Sequence, residues 1–487
     1  MKYVPPLILA LTAIVHGQQW QGAKVICKAD TMNRPYMTSV MLTSDTADMP
    51  WIFWQRFNVD NPDSTMLWEM THWNGRKWVE PQQLPDTIRQ EGSYWDGVFA
   101  PDGRLWLVYP MRPLGNYVDI QSVRYDPSTG QWELPTQVNA PDTNSLDDFY
   151  PRIDIGGGQV WAVWFNEVGS RAICDIKASH WDEGAHSWGP ELTVNPDTSG
   201  INRMEWFPDV AVDREGIPHV VWTCSRPSVS TPLLYSRYEN GQWTAPESIS
   251  NQNAGGPYGG TRPRLVDDAD GNLHCVFIGA EPGDTVVGLY YCRRSGGIWS
   301  KPVRTDTWAT TGAPIWDKDL AVASPDNIWV TFDRGDGSDW MVFAQHFDGH
   351  LWSPEERIDD GRTFQGGFPK ITLDADGRPF VAWSADSSTR TSYAQVWYNR
   401  YAVVGLAERQ PAVLHGLQPE ATVVRGVLFV PPAKGKERMA SGDLLDISGR
   451  TVLELRSGSN DVSQLAPGVY FVRAEVTGRR SKVILTR

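Results

Sequence analysis

The sequence predicts an all-β chain: a seven-bladed β-propeller of four-stranded blades, followed by a separate small β-domain. Three observations carry this reading. A tryptophan anchor recurs at a near-constant interval, a proline-led phrase fills each interval, and both stop after Tyr401.

The anchor closes a strand-like run, an Arg or His beside an aromatic, and a Gly turn. Its clearest copy is Leu234-Tyr235-Ser236-Arg237-Tyr238-Glu239-Asn240-Gly241-Gln242-Trp243. With Trp243, the series of anchors runs Trp78, Trp132, Trp188, Trp243, Trp299 and Trp352, at successive spacings of 54, 56, 55, 56 and 53 residues. Self-similarity at this period is the mark of a repeat architecture. The period is too short for a whole sandwich and suits one four-stranded blade.

The second phrase runs from Pro through alternating residues and an Asp/Gly turn into an apolar run ending on an aromatic. Phe207-Pro208-Asp209-Val210 leading to Trp222, and Phe368-Pro369-Lys370-Ile371 leading to Trp383, are two copies. Seven copies begin near Arg34, Trp95, Tyr150, Phe207, Arg262, Trp316 and Phe368. Alternation with Gly/Asp/Asn turns describes short antiparallel strands. The last repeat lacks its Trp strand, and Trp20 lies in a matching strand at the other end. The N-terminal strand therefore completes the last blade, which removes exposed strand edges. The repeated Trp residues are expected to pack blade against blade.

The boundaries follow from composition. Met1-Lys2-Tyr3, an apolar run from Val4 to Val15 and small or polar residues at His16-Gly17-Gln18 read as a signal peptide over 1–17. The propeller is expected over 18–402, a linker over 403–420 and the tail domain over 421–487. No later segment is apolar for long enough to cross a membrane. The net charge of −14 argues against nucleic acid as a partner. From Gly405 onward the chain carries 12 Lys+Arg against 8 Asp+Glu, so the acidic body and basic tail separate. The five cysteines, Cys27, Cys174, Cys224, Cys275 and Cys292, show neither a disulfide framework nor zinc-ligand spacing. Buried thiols are expected.

The tail carries a recognisable pattern. Leu444-Leu445-Asp446-Ile447-Ser448-Gly449-Arg450-Thr451-Val452 is followed by Leu465-Ala466-Pro467-Gly468-Val469-Tyr470-Phe471-Val472-Arg473, then by Ser481-Lys482-Val483-Ile484-Leu485-Thr486-Arg487. These segments resemble the type A sorting domain of the type IX secretion system. The resemblance implies an immunoglobulin-like β-sandwich, an outer-membrane translocon as partner of 421–487, and secretion or cell-surface display by a Gram-negative host of the Bacteroidetes type, via the periplasm.

Propeller sites usually lie where innermost strands open on the central channel. The residues just after the Pro position are Tyr36, Asp96, Arg152, Asp209, Arg264, Asp319 and Lys370, and those just before include Arg34, Tyr94, Tyr150, Phe207, Arg262 and Phe368. Glu205, Trp206, Asp317 and Trp316 lie nearby. Charges beside aromatic faces suit a polar ligand such as a glycan; the alternative is that the charges pair with one another.

The repeats also resemble the sialidase-like propeller superfamily, with departures. At Ser236 to Trp243 the Asp-box pattern has Tyr238 where Asp belongs, and Asn33-Arg34-Pro35 replaces an Arg-Ile-Pro motif. The resemblance implies that Arg34, Arg152 and Arg264 clamp a carboxylate and that Tyr150 with Glu205 forms a nucleophile pair. From the residues alone, Asp148 with Glu205, or Asp209 with Asp317, are candidate acid–base carboxylates of a glycoside hydrolase or lyase. Asp333, Asp336 and Asp339 supply oxygens in a spacing open to Ca²⁺ but match no complete calcium loop; a solvated turn is the reading adopted, with no cofactor. The leading expectation is a non-catalytic propeller binding an extracellular glycan or protein, against a sialidase-like or other glycan-processing enzyme and a structural scaffold.

Overall fold

The computed structural model describes residues 18–27, 35–58, 67–88, 94–112, 117–140, 147–167, 174–195, 204–225, 232–250, 258–280, 287–307, 314–361, 363–387 and 394–403, and shorter stretches between 422 and 485. The expected signal peptide, most of the expected linker and Arg34 lie outside the described residues. The chain divides into two compact units, Met1–Gly405 and Leu406–Arg487. Strands are the regular elements among the described residues, where no helix is long and apolar enough to cross a membrane.

In the first unit the described strands group into antiparallel sets, each led by an inner strand. The inner strands are β1 (Pro35–Ser44), β2 (Asp96–Phe99), β3 (Asp148–Gly156), β4 (Met204–Val212), β5 (Tyr258–Asp267), β6 (Lys318–Ser324) and β7 (Thr363–Leu373). Outward from β4, for example, come Pro218–Ser225, Leu233–Glu239 and the short Gln242–Trp243. Consecutive inner strands neighbour one another, and β7 returns to β1. The last set is completed by Gln18–Trp20, paired to Ala394–Val403 with Trp20 opposite Tyr401. Sets three and four also share a parallel bridge at Cys174 and Met204.

The turn chemistry is read directly from sequence. In the Asp213 to Gly216 turn, the Gly216 N–H donates to the Asp213 carbonyl at 2.9 Å while the Asp213 carboxylate accepts from Ile217 N–H at 2.9 Å. Gly216 has φ +82°, the left-handed region that glycine enters without cost. The Asp268 and Asp374 turns repeat this pattern.

The anchor tryptophans pack between sets, as their apolar surface requires. Trp188 meets Trp106 of the preceding set at 5.9 Å and donates its indole N–H to Ser122 Oγ at 2.7 Å. Trp243 meets Trp161, Trp299 meets Tyr235, Trp352 meets Tyr291 and Trp20 meets Trp329, each at 5.2–6.0 Å. Cys174, Cys224, Cys275 and Cys292 are buried thiols; the side chain of Cys27 lies outside the described residues.

The second unit holds a sheet ordered Thr422–Val424, Arg480–Leu485, Gly468–Ala474, Ser441–Leu445, Thr451–Arg456, and a two-stranded sheet of Val427–Val430 with Gly458–Asp461. Leu444, Leu455, Val462, Tyr470 and Val472 form its described core.

Candidate functional site

The inner strands β3, β4, β5 and β7 share an irregularity. Their pairing register shifts at Phe149/Arg152, Trp206/Asp209, Thr261/Arg264 and Gly367/Lys370. In each shift stands an X-Pro pair: Tyr150-Pro151, Phe207-Pro208, Arg262-Pro263 and Phe368-Pro369. Proline has no N–H to give a ladder, so it is tolerated at a bulge. The residue before it takes φ of +53°, +52°, +52° and +56° respectively. That region is disfavoured for a bulky residue, and more so before proline, at about 1–3 kcal/mol per residue. The bulge breaks the strand alternation, and all four residues line one cavity of about 150 Å³.

Around them the cavity is lined by Tyr94, Trp95 and Trp316 as further aromatic walls, by Arg152, Arg264 and Lys370 as cations, and by the Lys318 amine. Asp317 is the carboxylate among its described lining, and it is committed to Lys370 Nζ at 2.6 Å. Burial alone would raise the Asp317 pKa, but Lys370 and Lys318 outweigh it and hold it at about 2. The Arg262 guanidinium lies 5.0 Å over Phe207 and 4.7 Å over Trp316, and donates to the Trp316 carbonyl at 2.9 Å. Tyr94 and Tyr150 stack at 3.6 Å. Burial, then Tyr94, raises the Tyr150 pKa, so its phenol keeps its proton.

Beneath the cavity the post-proline positions alternate in charge around the inner strands. Arg152 reaches Asp96 and Asp209 at 3.7 Å each, and Arg264 reaches Asp209 at 3.1 Å and Asp319 at 2.7 Å. The second oxygen of each aspartate accepts a backbone N–H from the next inner strand: Asp96 from Ile153, Asp209 from Leu265 and Asp319 from Ile371. The chain of ion pairs thus stitches neighbouring sets. Arg264 divides the first cavity from a second, of about 330 Å³, lined by Asp96, Asp154, Asp209, Asp267 and Asp319.

The candidates named from sequence are distributed as follows. Tyr94, Tyr150, Arg152, Arg262, Arg264, Trp316 and Lys370 meet at the cavity. Asp96, Asp209 and Asp319 serve the ion-pair chain. Glu205 is fully buried on β4 opposite Cys224, and Trp206 stacks on Phe207 at 5.3 Å outside the lining. Asp148 is buried, accepting from Asn139, Trp164 and Asn166 at 2.7–3.0 Å. The proposed pairings of Asp148 or Tyr150 with Glu205, and of Asp209 with Asp317, therefore do not converge on the cavity. Arg152 and Arg264 are held by aspartates, which occupies two of the expected three clamp arginines. In the first set the bulge falls between Thr38 and Met41, and Val40 lines the cavity. Pro35 merely opens β1, so Tyr36 sits elsewhere on that strand, opposite Phe57; the side chain of Tyr36 lies outside the described residues.

The calcium candidates do not converge either. Asp333 accepts from the N–H groups of Trp316, Asp317 and Phe368 at 2.8–3.0 Å. Asp336 caps its own turn through Ser338 and Asp339, and Asp339 accepts from Trp340 and Gln365.

Lys318 escaped the sequence reading. It takes the position that proline holds in β3, β4, β5 and β7, between the two aspartates that drew attention. Its side chain is 1 % exposed and lines the cavity. Burial lowers its pKa, Asp317 opposes, and Arg264, Lys370 and Arg262 bring it to about 7.

No family model and no curated protein matches the sequence. Solved structures do. A polysaccharide lyase described as a PL25 ulvan lyase aligns at TM-score 0.50 and 10% identity, over 78% of this chain and 95% of its own. The α-L-arabinanase of Penicillium chrysogenum aligns at TM-score 0.44 and 10% identity, over 79% and 99%. The Hadza microbial sialidase Hz136 aligns at 0.40 and 13%, over 72% and 76%. These neighbours are β-propellers of sialidase-like, arabinanase and lyase types. With the strand order above, the likeness to the lyase structure shows the β-propeller fold of the first unit.

Proposed function

We propose that this protein is an extracellular seven-bladed propeller that binds an acidic glycan, one charged sugar at a time, in the cavity at the channel mouth. The carrying observation is the cavity lining: four charged cationic side chains, the buried Lys318 amine and six aromatic side chains face it, and its described carboxylate is already paired, in a protein of net charge −14. Arg262 presents guanidinium donors beside two aromatic faces, which suits an acid group on a sugar ring. The cavity is below the usual size for a small-molecule site, so it suits one ring or one acid group. Neighbouring propellers named for glycan chemistry support a glycan ligand.

The address is part of the same proposal. The inner-strand circuit supports reading each strand set as one blade. The tail motif supports reading 421–487 as an immunoglobulin-like sorting domain taken by the type IX translocon. A leader over 1–17 and surface display or release follow from that route. The test is a binding screen of the mature chain on acidic and neutral glycans. Selective retention of acidic glycans, weakened at least tenfold by Arg262→Ala, is the expected result. Equal retention of neutral glycans would defeat the reading.

A further inference from the structure

Two of the buried cysteines face each other. Cys275 lies on Leu273–Ala280 and Cys292 on Gly288–Ser295, the second and third strands of the set led by β5, and the register sets them directly opposite. On the third strand the Leu289 carbonyl accepts from Thr305 at 2.9 Å and the Arg293 carbonyl from Ser300 at 2.8 Å, both on the side away from Cys275. Backbone groups alternate in direction along a strand, so Cys292 turns its own N–H and C=O toward Cys275. The Cα atoms of such a hydrogen-bonded pair stand about 5.5 Å apart, inside the range of about 4.4–6.8 Å that a disulfide spans. Both side chains enter one core, beside Leu265 and Ile249; both are 0 % exposed, and the thiols are in hydrogen-bonding contact. The equivalent third-strand residues Thr71, Ser179, Ser236 and Gln345 stand opposite Ile52, Ala162, Val220 and Val330. Each donates to a carbonyl just after its anchor tryptophan, at 2.7–3.0 Å. Cys292 puts a thiol, a weak donor, where those sets carry that tie.

We propose that Cys275 and Cys292 are joined by a disulfide in the exported protein, a covalent staple in the set whose inner strand carries Arg262 and Arg264. The bridge goes beyond the glycan reading and takes from the proposed address only an oxidising compartment. The oxidant is a disulfide, of the glutathione or protein dithiol-oxidase class. One cysteine thiolate attacks it, forming a mixed disulfide and releasing one thiol, and the second thiolate then displaces the other half. Two S–H bonds are lost and one S–S bond forms, while the two electrons and two protons end on the oxidant as two thiols. In the folded set burial pushes the Cys275 thiol up and both sulfurs are shielded from solvent. The bridge therefore closes while the set is still open during folding, and resists reduction afterwards. Cys174 and Cys224 stand opposite Glu167 and Glu205 in their ladders and remain thiols.

The experiment equilibrates the purified full mature chain in oxidised and reduced glutathione, with enough urea to open the strand sets transiently. Acid quenches the exchange, free thiols are alkylated in full denaturant, and peptides are mapped by mass. The expected product is a Cys275–Cys292 linkage, lighter by two hydrogens than the two thiol peptides, with Cys174 and Cys224 alkylated. The bridge closes a loop of about 18 residues, so the urea midpoint should lie about 1 M above that of the reduced chain. Tryptophan fluorescence reads it from the first unit, because every tryptophan lies before Tyr401. Cys292→Ala should remove both the linkage and the redox dependence of the midpoint; should that variant fail to fold, the wild-type map decides alone. Cys275 and Cys292 alkylated as fully as Cys174, linkages scattered among the cysteines, or a midpoint indifferent to reduction would overturn the bridge. The same map on chain recovered from its own host separates this inference from the address. Free thiols in exported chain overturn the bridge and keep the address, whereas chain confined to the cytoplasm overturns the address while the glutathione equilibrium still decides the bridge.

Discussion

Replacing Asp209 by Asn tests whether the ion-pair chain holds the inner strands together. Asp209 is buried, with one oxygen 3.1 Å from Arg264 and 3.7 Å from Arg152, and the other 2.6 Å from the Leu265 N–H. At an effective dielectric of about 20, each charge pair at these separations is worth roughly 4–5 kcal/mol before desolvation. Removing one partner of a buried pair costs about 3–5 kcal/mol, because the remaining charge is stranded. Here Arg264 keeps Asp319 and Arg152 keeps Asp96, so the lower end, about 3 kcal/mol, is expected. The amide oxygen of Asn can still accept from Leu265, but its NH₂ then faces guanidinium donors. Equilibrium urea unfolding, with a slope of about 3 kcal/mol per molar, should show a midpoint lowered by about 1 M. The control is Arg237→Gln, which breaks the half-exposed pair with Glu239 and should cost at most about 1 kcal/mol. A midpoint shift for Asp209→Asn no larger than the control's would refute the stitching argument.

Two further perturbations probe the packing. Trp188→Ala should cost about 3–5 kcal/mol, since it empties the contact with Trp106 and Trp181 and removes the indole donor to Ser122 Oγ, which keeps only its bond to the Thr136 carbonyl, and thermal unfolding would register it. His274 is buried between Tyr291 and Asp268, and its pKa lies below the ordinary value, first through burial and against the pull of Asp268. The fold thus binds fewer protons there than the unfolded chain. This contribution to stability is complete above about pH 6.5 and lost as pH falls through the folded value. Melting temperature should drop across that acidic window, and His274→Gln should flatten the drop; an unchanged slope in the variant would locate the effect elsewhere.

The repeat was legible because propeller blades repeat a physical requirement. Each outer strand needs one large apolar side chain to seal it to its neighbour, and Trp188, Trp243 and Trp299 recur at the blade period for that reason. Asp213, Asp268 and Asp374 were legible as turns, since an Asp carboxylate and a positive-φ Gly are local needs. The alternating charges Asp96, Arg152, Asp209, Arg264 and Asp319 were also visible in the chain. Whether they faced a ligand or each other was not, because ion pairing depends on which inner strands stand side by side.

What the sequence by itself determined is therefore the all-β repeat, its period, the N-terminal strand that completes the last set and the break after Tyr401. These rest on periodicity and local turn chemistry. The tertiary structure alone decided which residues share the cavity. Register shifts at four X-Pro bulges turn Tyr150, Phe207, Arg262 and Phe368 toward one point, while Glu205 and Asp148, only a few residues away, are buried in the sheets. The same assembly decided the state of Lys318. A lysine between two aspartates reads as an ordinary ion pair along the chain, and only its burial beside Arg264, Arg262 and Lys370 lowers the pKa of its amine to about 7.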